Sequence, residues 1–408
     1  MTVSERFLKY VAYPTMSVDE STTVPTTAKQ LVLGKALVEE LLELGLSDAH
    51  IDDKGYIYAT LPANTDKDIN TIGFIAHMDT SSAASDENIK TSVVKYEGGD
   101  ILLNAEQNIY MKIADYPYLD KYIGEHLIVT DGTTLLGADD KAGIAEIMTM
   151  LEKLIQSGDE HGTIKIGFTP DEEVGRGADY FDVEKFAADY AYTVDGGALG
   201  ELEYENFNAS GATVTVHGVS IHPGSAKNKM KNAVTMAMEF NALLPALEVP
   251  ERTEGYEGFH NLHKMSGETE LATMQYIIRD HDKNKVAEKK QQFLKAAEEM
   301  NRIYGEGTVE VELRDSYFNM KEIIENHMYI IERAKKAMID TGIKPNIVPI
   351  RGGTDGARLS FLGLPCPNLC TGGENFHSRF EFVSIESMEK ITDLLVCIIK
   401  NSVTEGKA

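Results

Sequence analysis

Cysteine is scarce in this chain of 408 residues. The three cysteines, Cys366, Cys370 and Cys397, lie near the C-terminus, at spacings that suit neither a disulfide framework nor a Cys-rich zinc site. This scarcity favours a reducing compartment, and we expect the protein to be cytoplasmic.

Positive charge is also in short supply. Lysine and arginine together number 39, against 65 aspartates and glutamates, and the formal net charge is -26 at pH 7. A surface of this sign repels nucleic-acid phosphates and acidic membranes, so we expect neither as a partner. The acidic residues are spread along the chain, which is typical of a solvated surface.

Long apolar runs are absent as well. The opening stretch MTVSERFLKYVAYPTMSV is interrupted by Glu5, Arg6 and Lys9, and no later segment approaches the length of a membrane span. Apolar residues nevertheless make up 42% of the chain, which is enough to fill two hydrophobic cores. We therefore expect a soluble globular protein with two domains.

Strand patterns alternate with helical patterns through roughly the first half of the chain. The apolar runs that read as strands are at 57–63, 71–80, 163–169 and 190–195. Residues 144–155 instead carry apolar side chains at spacings of three and four, as a helix does. This alternation predicts an α/β domain with a mixed, largely parallel sheet.

The pattern changes from about residue 209. Strands and a long charged helix follow one another as far as residue 318, after which the α/β pattern returns. The sequence therefore predicts an inserted α+β domain at 209–318, within a first domain made of residues 1–208 and 319–408.

The motif HMD lies at the end of one predicted buried strand. His77 and Asp79 are two residues apart, so their side chains leave the same face of the strand. The carboxylate can then orient the imidazole and leave its other nitrogen free for a metal ion. Taken alone, however, this pattern is more often a satisfied loop histidine.

The motif LGADDKAG places two adjacent aspartates, Asp139 and Asp140, just before a predicted amphipathic helix. Either carboxylate could cap the helix N-terminus. Two neighbouring carboxylates in a loop are costly unless one is solvated or bound to a cation, so capping and metal binding both stay open here.

Further acidic and histidine residues follow other predicted strands. The turn of FTPDEEVGRG offers Glu172 and Glu173, of which one could bind a metal while the other acts as a general base. Because open α/β sheets bind ligands at the carboxyl ends of their strands, we expect these groups to converge. A pair of zinc-like ions bridged by one carboxylate would suit the set of His77, Asp139, Glu173, Asp195 and His377.

Several longer motifs closely resemble those of the tripeptide aminopeptidases in the dinuclear zinc exopeptidase family. They include GFIAHMDTS, LLGADDKAGIAEIM, FTPDEEVGRGADYFDV, AYTVDGG, HPGSAK, PIRGGTDGARLSFLGLPCPNL and TGGENFH. The resemblance runs almost from end to end. It implies a zinc-exopeptidase-like catalytic domain with an inserted lid domain, possible homodimers, and release of the N-terminal residue from tripeptides.

The resemblance also implies a metal-binding role for each candidate ligand. Asp139 bridges two zinc ions, which Co²⁺ or Mn²⁺ could replace. By the same resemblance, His77 and Asp195 complete one metal site, and Glu173 and His377 complete the other.

The remaining roles implied by the resemblance concern the reaction and the substrate. Glu172 is the general base, Asp79 orients His77, and His222 of the lid binds the reacting carbonyl group, in its own or a partner's active site. Arg279 and Arg351 are candidates for binding the peptide carboxylate, although ion pairing within the fold would explain either arginine equally well.

Two alternatives remain open at this point. The same metal centre serves dipeptidases, carboxypeptidases and acyl-amino-acid deacylases, which differ in the end of the substrate they recognise. A catalytically silent binding protein on the same fold is the other alternative, although the intact set of ligands and base argues against it.

Overall fold

The computed structural model describes residues 1–407, which form two compact units. The first unit comprises Met1–Tyr204, Glu322–Val348 and the chain from Thr354 onward, and the second comprises Glu205–Lys321 and Pro349–Gly353. The ends of the long second-unit segment differ by three or four residues from the predicted insertion at 209–318. Pro349–Gly353 groups with the second unit, not with the first as expected, because Ile350 pairs with Asn206.

The regular elements are numbered in chain order. The α-helices are α1 (Val3–Val11), α2 (Gln30–Glu43), α3 (Ala138–Ser157), α4 (Val183–Phe186), α5 (Ala233–Ala242), α6 (Lys283–Tyr304), α7 (Lys321–Ile324), α8 (Tyr329–Asp340), α9 (Asp355–Phe361) and α10 (Ile385–Glu405). The strands are β1 (His50–Ile51), β2 (Ile57–Leu61), β3 (Ile72–His77), β4 (Thr91–Lys95), β5 (Ile101–Asn104), β6 (Ile109–Met111), β7 (His126–Thr130), β8 (Ile164–Thr169), β9 (Tyr190–Gly196), β10 (Glu201–Glu203), β11 (Asn208–His217), β12 (Phe259–Gly267), β13 (Leu271–Asp280), β14 (Val309–Tyr317), β15 (Asn346–Ile347), β16 (Asn368–Cys370), β17 (Gly373–Glu374) and β18 (Phe382–Ser384).

The first unit is built on an eight-stranded sheet with the strand order β1-β2-β8-β3-β9-β16-β10-β15. Its middle strands β8, β3, β9 and β16 run parallel, which confirms the predicted α/β fold with a mixed sheet. All six residues of β3 are buried, since an apolar run of this kind suits a strand covered on both faces. The carboxyl ends of β8, β3 and β9 lie side by side at one edge of the sheet.

Helix α3 packs against β3 and β9 and brings its first residues to that edge. A Cβ atom at Gly143 would lie 1.9 Å from the carbonyl oxygen of Val194, so only glycine permits this close approach. Asp139 and Asp140 have non-helical backbone angles, so the continuous helix begins after them. The acidic pair is thus held in a turn beside the carboxyl ends of the parallel strands.

A smaller antiparallel sheet of the first unit has the order β17-β18-β7-β4. Glu374 of β17 pairs with Phe382 of β18, so residues 375–381 form the loop of a hairpin. This loop carries His377, whose backbone is in the left-handed region at φ 58°. His377 therefore lies in a loop, where no strand or helix pattern in the sequence predicts its position.

The second unit is a four-stranded antiparallel sheet, β12-β13-β11-β14, against which α5 and α6 pack. Alternate residues of β13 are buried, as expected of a sheet with one covered face. The core of this unit includes Ala272, Met274, Tyr276, Ile278, Phe240 and Phe293. In residues 1–407, no helix is both long and apolar enough to span a bilayer.

Candidate metal centre

His77, the last residue of β3, is the most buried of the five predicted ligands, with its side chain 2% exposed. Its Nδ1 lies 3.0 Å from the carbonyl oxygen of Asp79 and 3.4 Å from Oδ1 of the same residue. Its Nε2 lies 2.8 Å from Asp139 Oδ1 and 3.3 Å from Asp195 Oδ1. One ring nitrogen therefore faces Asp79, and the other is directed at two carboxylates.

Asp139 joins the two histidines of the site. While its Oδ1 faces His77, its Oδ2 lies 3.2 Å from Nε2 of His377. The same His377 nitrogen is 2.8 Å from Oε2 of Glu173. The structure thus brings all five predicted ligands together in one row of contacts, in the order Asp195, His77, Asp139, His377 and Glu173.

Glu172, the predicted general base, lies next to this row. Within the described chain, no hydrogen bond or ion pair joins its carboxylate to any of the five ligands. The backbone N–H groups of Glu172 and Glu173 donate to the two oxygens of the Asp79 carboxylate, at 2.9 and 3.1 Å. Asp79 is fully buried, and it therefore holds both the ring of His77 and the turn that carries the two glutamates.

Several carboxylates lie close together at this edge of the sheet, and their burial and mutual contacts shift the pKa values of the site. Burial raises the pKa of Asp195 to about 7. Burial and the charge of Asp195 raise the pKa of Glu172 well above its ordinary value. Hydrogen bonds to Asp139 and Glu173 raise the pKa of His377 to about 11. A cation at this position would stabilise the ionised carboxylates and so lower their pKa values.

The donor set and its unpaired atoms fit divalent cations. Imidazole nitrogens and carboxylate oxygens are ligands that zinc and similar ions take in proteins. Among residues 1–407, Glu173 Oε1 and Asp140 Oδ1 are buried without a hydrogen-bond partner. Two groups have ligand atoms within 4.8 Å of one another: His77, Asp139 and Glu173, and His77, Asp140 and Asp195.

The side chain of Asp140 does not cap α3, although capping was one of the two roles that the sequence left open for the aspartate pair. Its Oδ2 instead accepts a hydrogen bond from the backbone N–H of His77 at 3.1 Å. The second aspartate of the pair is therefore a neighbour of the ligands, and it links the start of α3 to the end of β3.

A buried glutamate that the sequence analysis missed holds the turn of Asp139. Glu381 Oε2 accepts hydrogen bonds from the N–H groups of Leu136 and Gly137 at 3.1 and 2.8 Å, and its Oε1 accepts one from Asp139 N–H at 3.0 Å. Because Glu381 also ends the hairpin loop of His377, it ties that loop to the turn. Its sequence surroundings do not distinguish it from a surface acid.

Two of the candidate residues in the second unit make local contacts. His222 is exposed, and its Nδ1 accepts a hydrogen bond from Gly224 N–H at 3.1 Å. Arg279 Nη1 donates to the carbonyl oxygens of Ser210 and Ile278 at 3.2 and 2.9 Å. These contacts orient both side chains within their own unit.

Arg351 makes more extensive contacts. Its Nη1 donates to the carbonyl oxygens of Gly255 and Glu257 at 2.7 and 2.9 Å, and its Nη2 donates to Thr253 Oγ1 at 3.1 Å. The guanidinium also lies 5.0 Å from the ring centre of Phe207. These contacts hold the Arg351 guanidinium on carbonyl and hydroxyl oxygens of its own unit.

A mixed, covered sheet with imidazole and carboxylate donors at the ends of its parallel strands is typical of α/β metallohydrolases. Residues 131–401 match the model of peptidase family M20/M25/M40. The chain belongs to this family.

Relatives of high identity are called peptidase T. The chain is 56% identical to peptidase T of Caldanaerobacter subterraneus and 55% identical to that of Clostridium novyi, in each case over 98% of both chains. Among solved structures, aminopeptidase PepT from Bacillus cereus superposes with a TM-score of 0.77 at 26% identity, and 98% of each chain is covered. These comparisons confirm the fold and the family resemblance predicted from the motifs.

Proposed function

We propose that the chain is a metal-dependent aminopeptidase that releases the N-terminal residue of tripeptides. The observation that carries the proposal is the row of five candidate metal ligands beside the carboxyl ends of the parallel strands. The backbone of Glu172 is held next to this row by Asp79. The relatives called peptidase T and the Bacillus cereus aminopeptidase support this activity. The limit to tripeptides follows from the motif resemblance.

We assign the five donors to two divalent cations. His77 and Asp195 would hold one, Glu173 and His377 would hold the other, and Asp139 would serve both. Nitrogen and oxygen ligands of this kind suit zinc, which Co²⁺ or Mn²⁺ could replace. When bound, such ions polarise a carbonyl group and make a water molecule more acidic.

Glu172 acts as the general base of the reaction. Its carboxylate accepts a proton from the attacking water and then donates that proton to the leaving amine. The contact of Asp79 with the backbone of Glu172 keeps the base in place. His222 donates a hydrogen bond to the developing oxyanion, from its own or a partner subunit, and Arg279 or Arg351 binds the peptide carboxylate.

Product identification tests this proposal. Purified, zinc-supplied protein is incubated with Leu-Gly-Phe, beside a chelated sample and a sample with the N-acetylated peptide. Free leucine and Gly-Phe, formed only with metal and a free N-terminus, are the expected products. Release of phenylalanine would instead indicate a carboxypeptidase, release of acetate a deacylase, and no metal-dependent cleavage a silent binding protein.

A further inference from the structure

The turn that carries Glu172 has little regular structure of its own. Asp171, directly before it, is in the left-handed region at φ 60° and ψ 25°, and Glu172–Val174 form a single 3₁₀ turn that ends at Gly175. So short a 3₁₀ segment has little intrinsic stability, and a left-handed residue other than glycine is strained. The direction of the Glu172 side chain therefore depends on contacts from outside the turn.

One such contact is a buried group of three residues, Thr26, Gln30 and Asp171, which we call the latch. The Asp171 carboxylate accepts hydrogen bonds from Thr26 N–H at 2.8 Å, from Thr26 Oγ1 at 2.6 Å and from Gln30 Nε2 at 2.7 Å. In return, Gln30 Oε1 accepts a hydrogen bond from Asp171 N–H at 3.3 Å. The three residues are 6, 0 and 1% exposed, respectively, so water competes little for these bonds.

Arg176 holds the other end of the turn to the same N-terminal segment. Its Nη1 and Nη2 donate to the carbonyl oxygens of Ser21 and Asp19, each at 2.7 Å. Its backbone N–H donates to the carbonyl oxygen of Asp171 at 2.9 Å. The N-terminal segment therefore forms hydrogen bonds with both ends of the turn, although it lies more than 140 residues earlier in the chain. Asp79 binds the middle of the turn.

We propose that Thr26 and Gln30 are positioning residues of this site, which act through Asp171 to hold Glu172 in the orientation that a general base requires. The inference rests on the proposed function for the role of Glu172. If either side-chain donor is removed, the buried Asp171 carboxylate loses a hydrogen bond, and the strained turn can relax. No contact in residues 1–407 joins Thr26 or Gln30 to the five donors, so metal binding should persist.

Isosteric variants test the latch with little change in volume. Thr26→Val removes the hydroxyl donor but keeps the backbone N–H. Gln30→Met removes the two amide contacts with Asp171, together with the weaker ones to the hydroxyls of Thr26 and Thr27. Thr26→Ser restores the hydroxyl. The first two variants are expected to lower kcat about 10- to 100-fold while KM changes less than about 2-fold. Thr26→Ser and the surface control Gln156→Met should both behave like the wild type. Metal content per chain should be the same in all of them.

A double-mutant cycle separates positioning from a general structural effect. If the latch acts through Glu172, Thr26→Val should lower the residual turnover of Glu172→Gln no further. Amide hydrogen exchange of a peptide spanning residues 170–176 gives a readout that does not need activity. Exchange there should be faster in Thr26→Val and Gln30→Met than in the wild type or Thr26→Ser.

The outcomes distinguish this inference from the proposed function. Wild-type kcat in Thr26→Val and Gln30→Met would overturn the inference, and so would a fall in kcat that only follows lost metal or lost fold. If Glu172→Gln keeps full turnover, the assignment of the base fails instead. In that case hydrogen exchange alone tests whether the latch positions the turn. Exchange of residues 170–176 as slow in Thr26→Val and Gln30→Met as in the wild type would show that it does not.

Discussion

The two halves of the row of donors are built differently. His77 and Asp195 come from the ends of buried parallel strands, whereas Glu173 and His377 come from a short turn and a hairpin loop. The side chain of His77 is 2% exposed and that of His377 is 52% exposed. Since strands hold side chains more rigidly than loops do, the sheet fixes the first half, and the second half depends on supporting contacts.

The largest effect is expected from Asp139, the residue that both halves share. Asp139→Ala should abolish binding of both ions and lower turnover about 10,000-fold or more. Elemental analysis of the purified protein measures the first effect, and peptide hydrolysis measures the second. Glu172→Gln is the matched control, because it should lose turnover to a similar extent and keep both ions. Two tightly bound ions in Asp139→Ala would contradict the shared role.

Substitution of one histidine at a time compares how each half contributes to metal binding and to the free energy of unfolding. His377→Ala should keep one ion per chain. It removes the imidazole that contacts the nearly buried Glu173, but this imidazole is 52% exposed, so the free energy of unfolding of the metal-free form should fall by less than about 1 kcal/mol. His77→Ala removes an imidazole that is only 2% exposed, leaves a buried cavity, and should destabilise the metal-free protein by about 1–3 kcal/mol. Urea unfolding of both chelated variants measures this difference, and equal losses would show that burial does not distinguish the halves.

Titration of the wild type with a chelator should remove the two ions in sequence. The ion held by Glu173 and His377 should leave first, because its ligands are on the less rigid elements. His377→Ala serves as the control, since its titration should have a single step that matches the second step of the wild type. A single step that releases both ions from the wild type would mean that the halves bind with equal affinity.

Glu381 ends the hairpin loop of His377 and accepts hydrogen bonds from the turn of the shared Asp139. Because this loop has no other regular structure, a change at Glu381 should loosen the half of Glu173 and His377 more and widen the gap between the two steps. Glu381→Gln keeps the volume but replaces one backbone-accepting oxygen with a donor, and it should weaken the first-released ion about 10- to 100-fold. Competition with a metal indicator measures both affinities. A matching loss of affinity for the ion of His77 and Asp195 would show that Glu381 supports the whole site and not one half.

Glu146 is a buried carboxyl group outside the row of candidate ligands. Its substitution should change the stability of the protein and leave metal binding unaffected. Neither of its oxygens has a hydrogen-bond partner among residues 1–407, and burial raises its pKa well above the ordinary value. Its folded pKa exceeds its unfolded pKa, so the group costs stability as the pH rises above the unfolded pKa. Glu146→Gln should therefore stabilise the protein by about 1–3 kcal/mol at pH 7 and by much less near pH 4, as measured by urea unfolding with metal content unchanged.

The fold and the clustering of the candidate ligands were predictable because they depend on patterns that one segment can display. The apolar run before His77 identifies a buried strand, and the same reasoning places Asp195 at the end of another. Parallel strands then bring their carboxyl ends together, which collects acidic groups far apart in the chain.

The supporting contacts were not predictable, since they join polar residues whose local surroundings are ordinary. Thr26 and Gln30 meet Asp171 across more than 140 positions, and no periodic pattern relates such residues. Glu381 and the carboxylate of Asp140 likewise acquire their partners only when separate segments pack. The grouping of Pro349–Gly353 with the second unit has the same origin, because a strand bridge to a distant residue defines it.

The distance along the chain between the first and last donors has a consequence for biosynthesis. His77 and His377 are 300 positions apart, and the hairpin of His377 leads directly into α10, which packs against α3. The residues through His377 must therefore be synthesised before these side chains can come together. Fragments that end before His377 should accordingly show no hydrolytic activity.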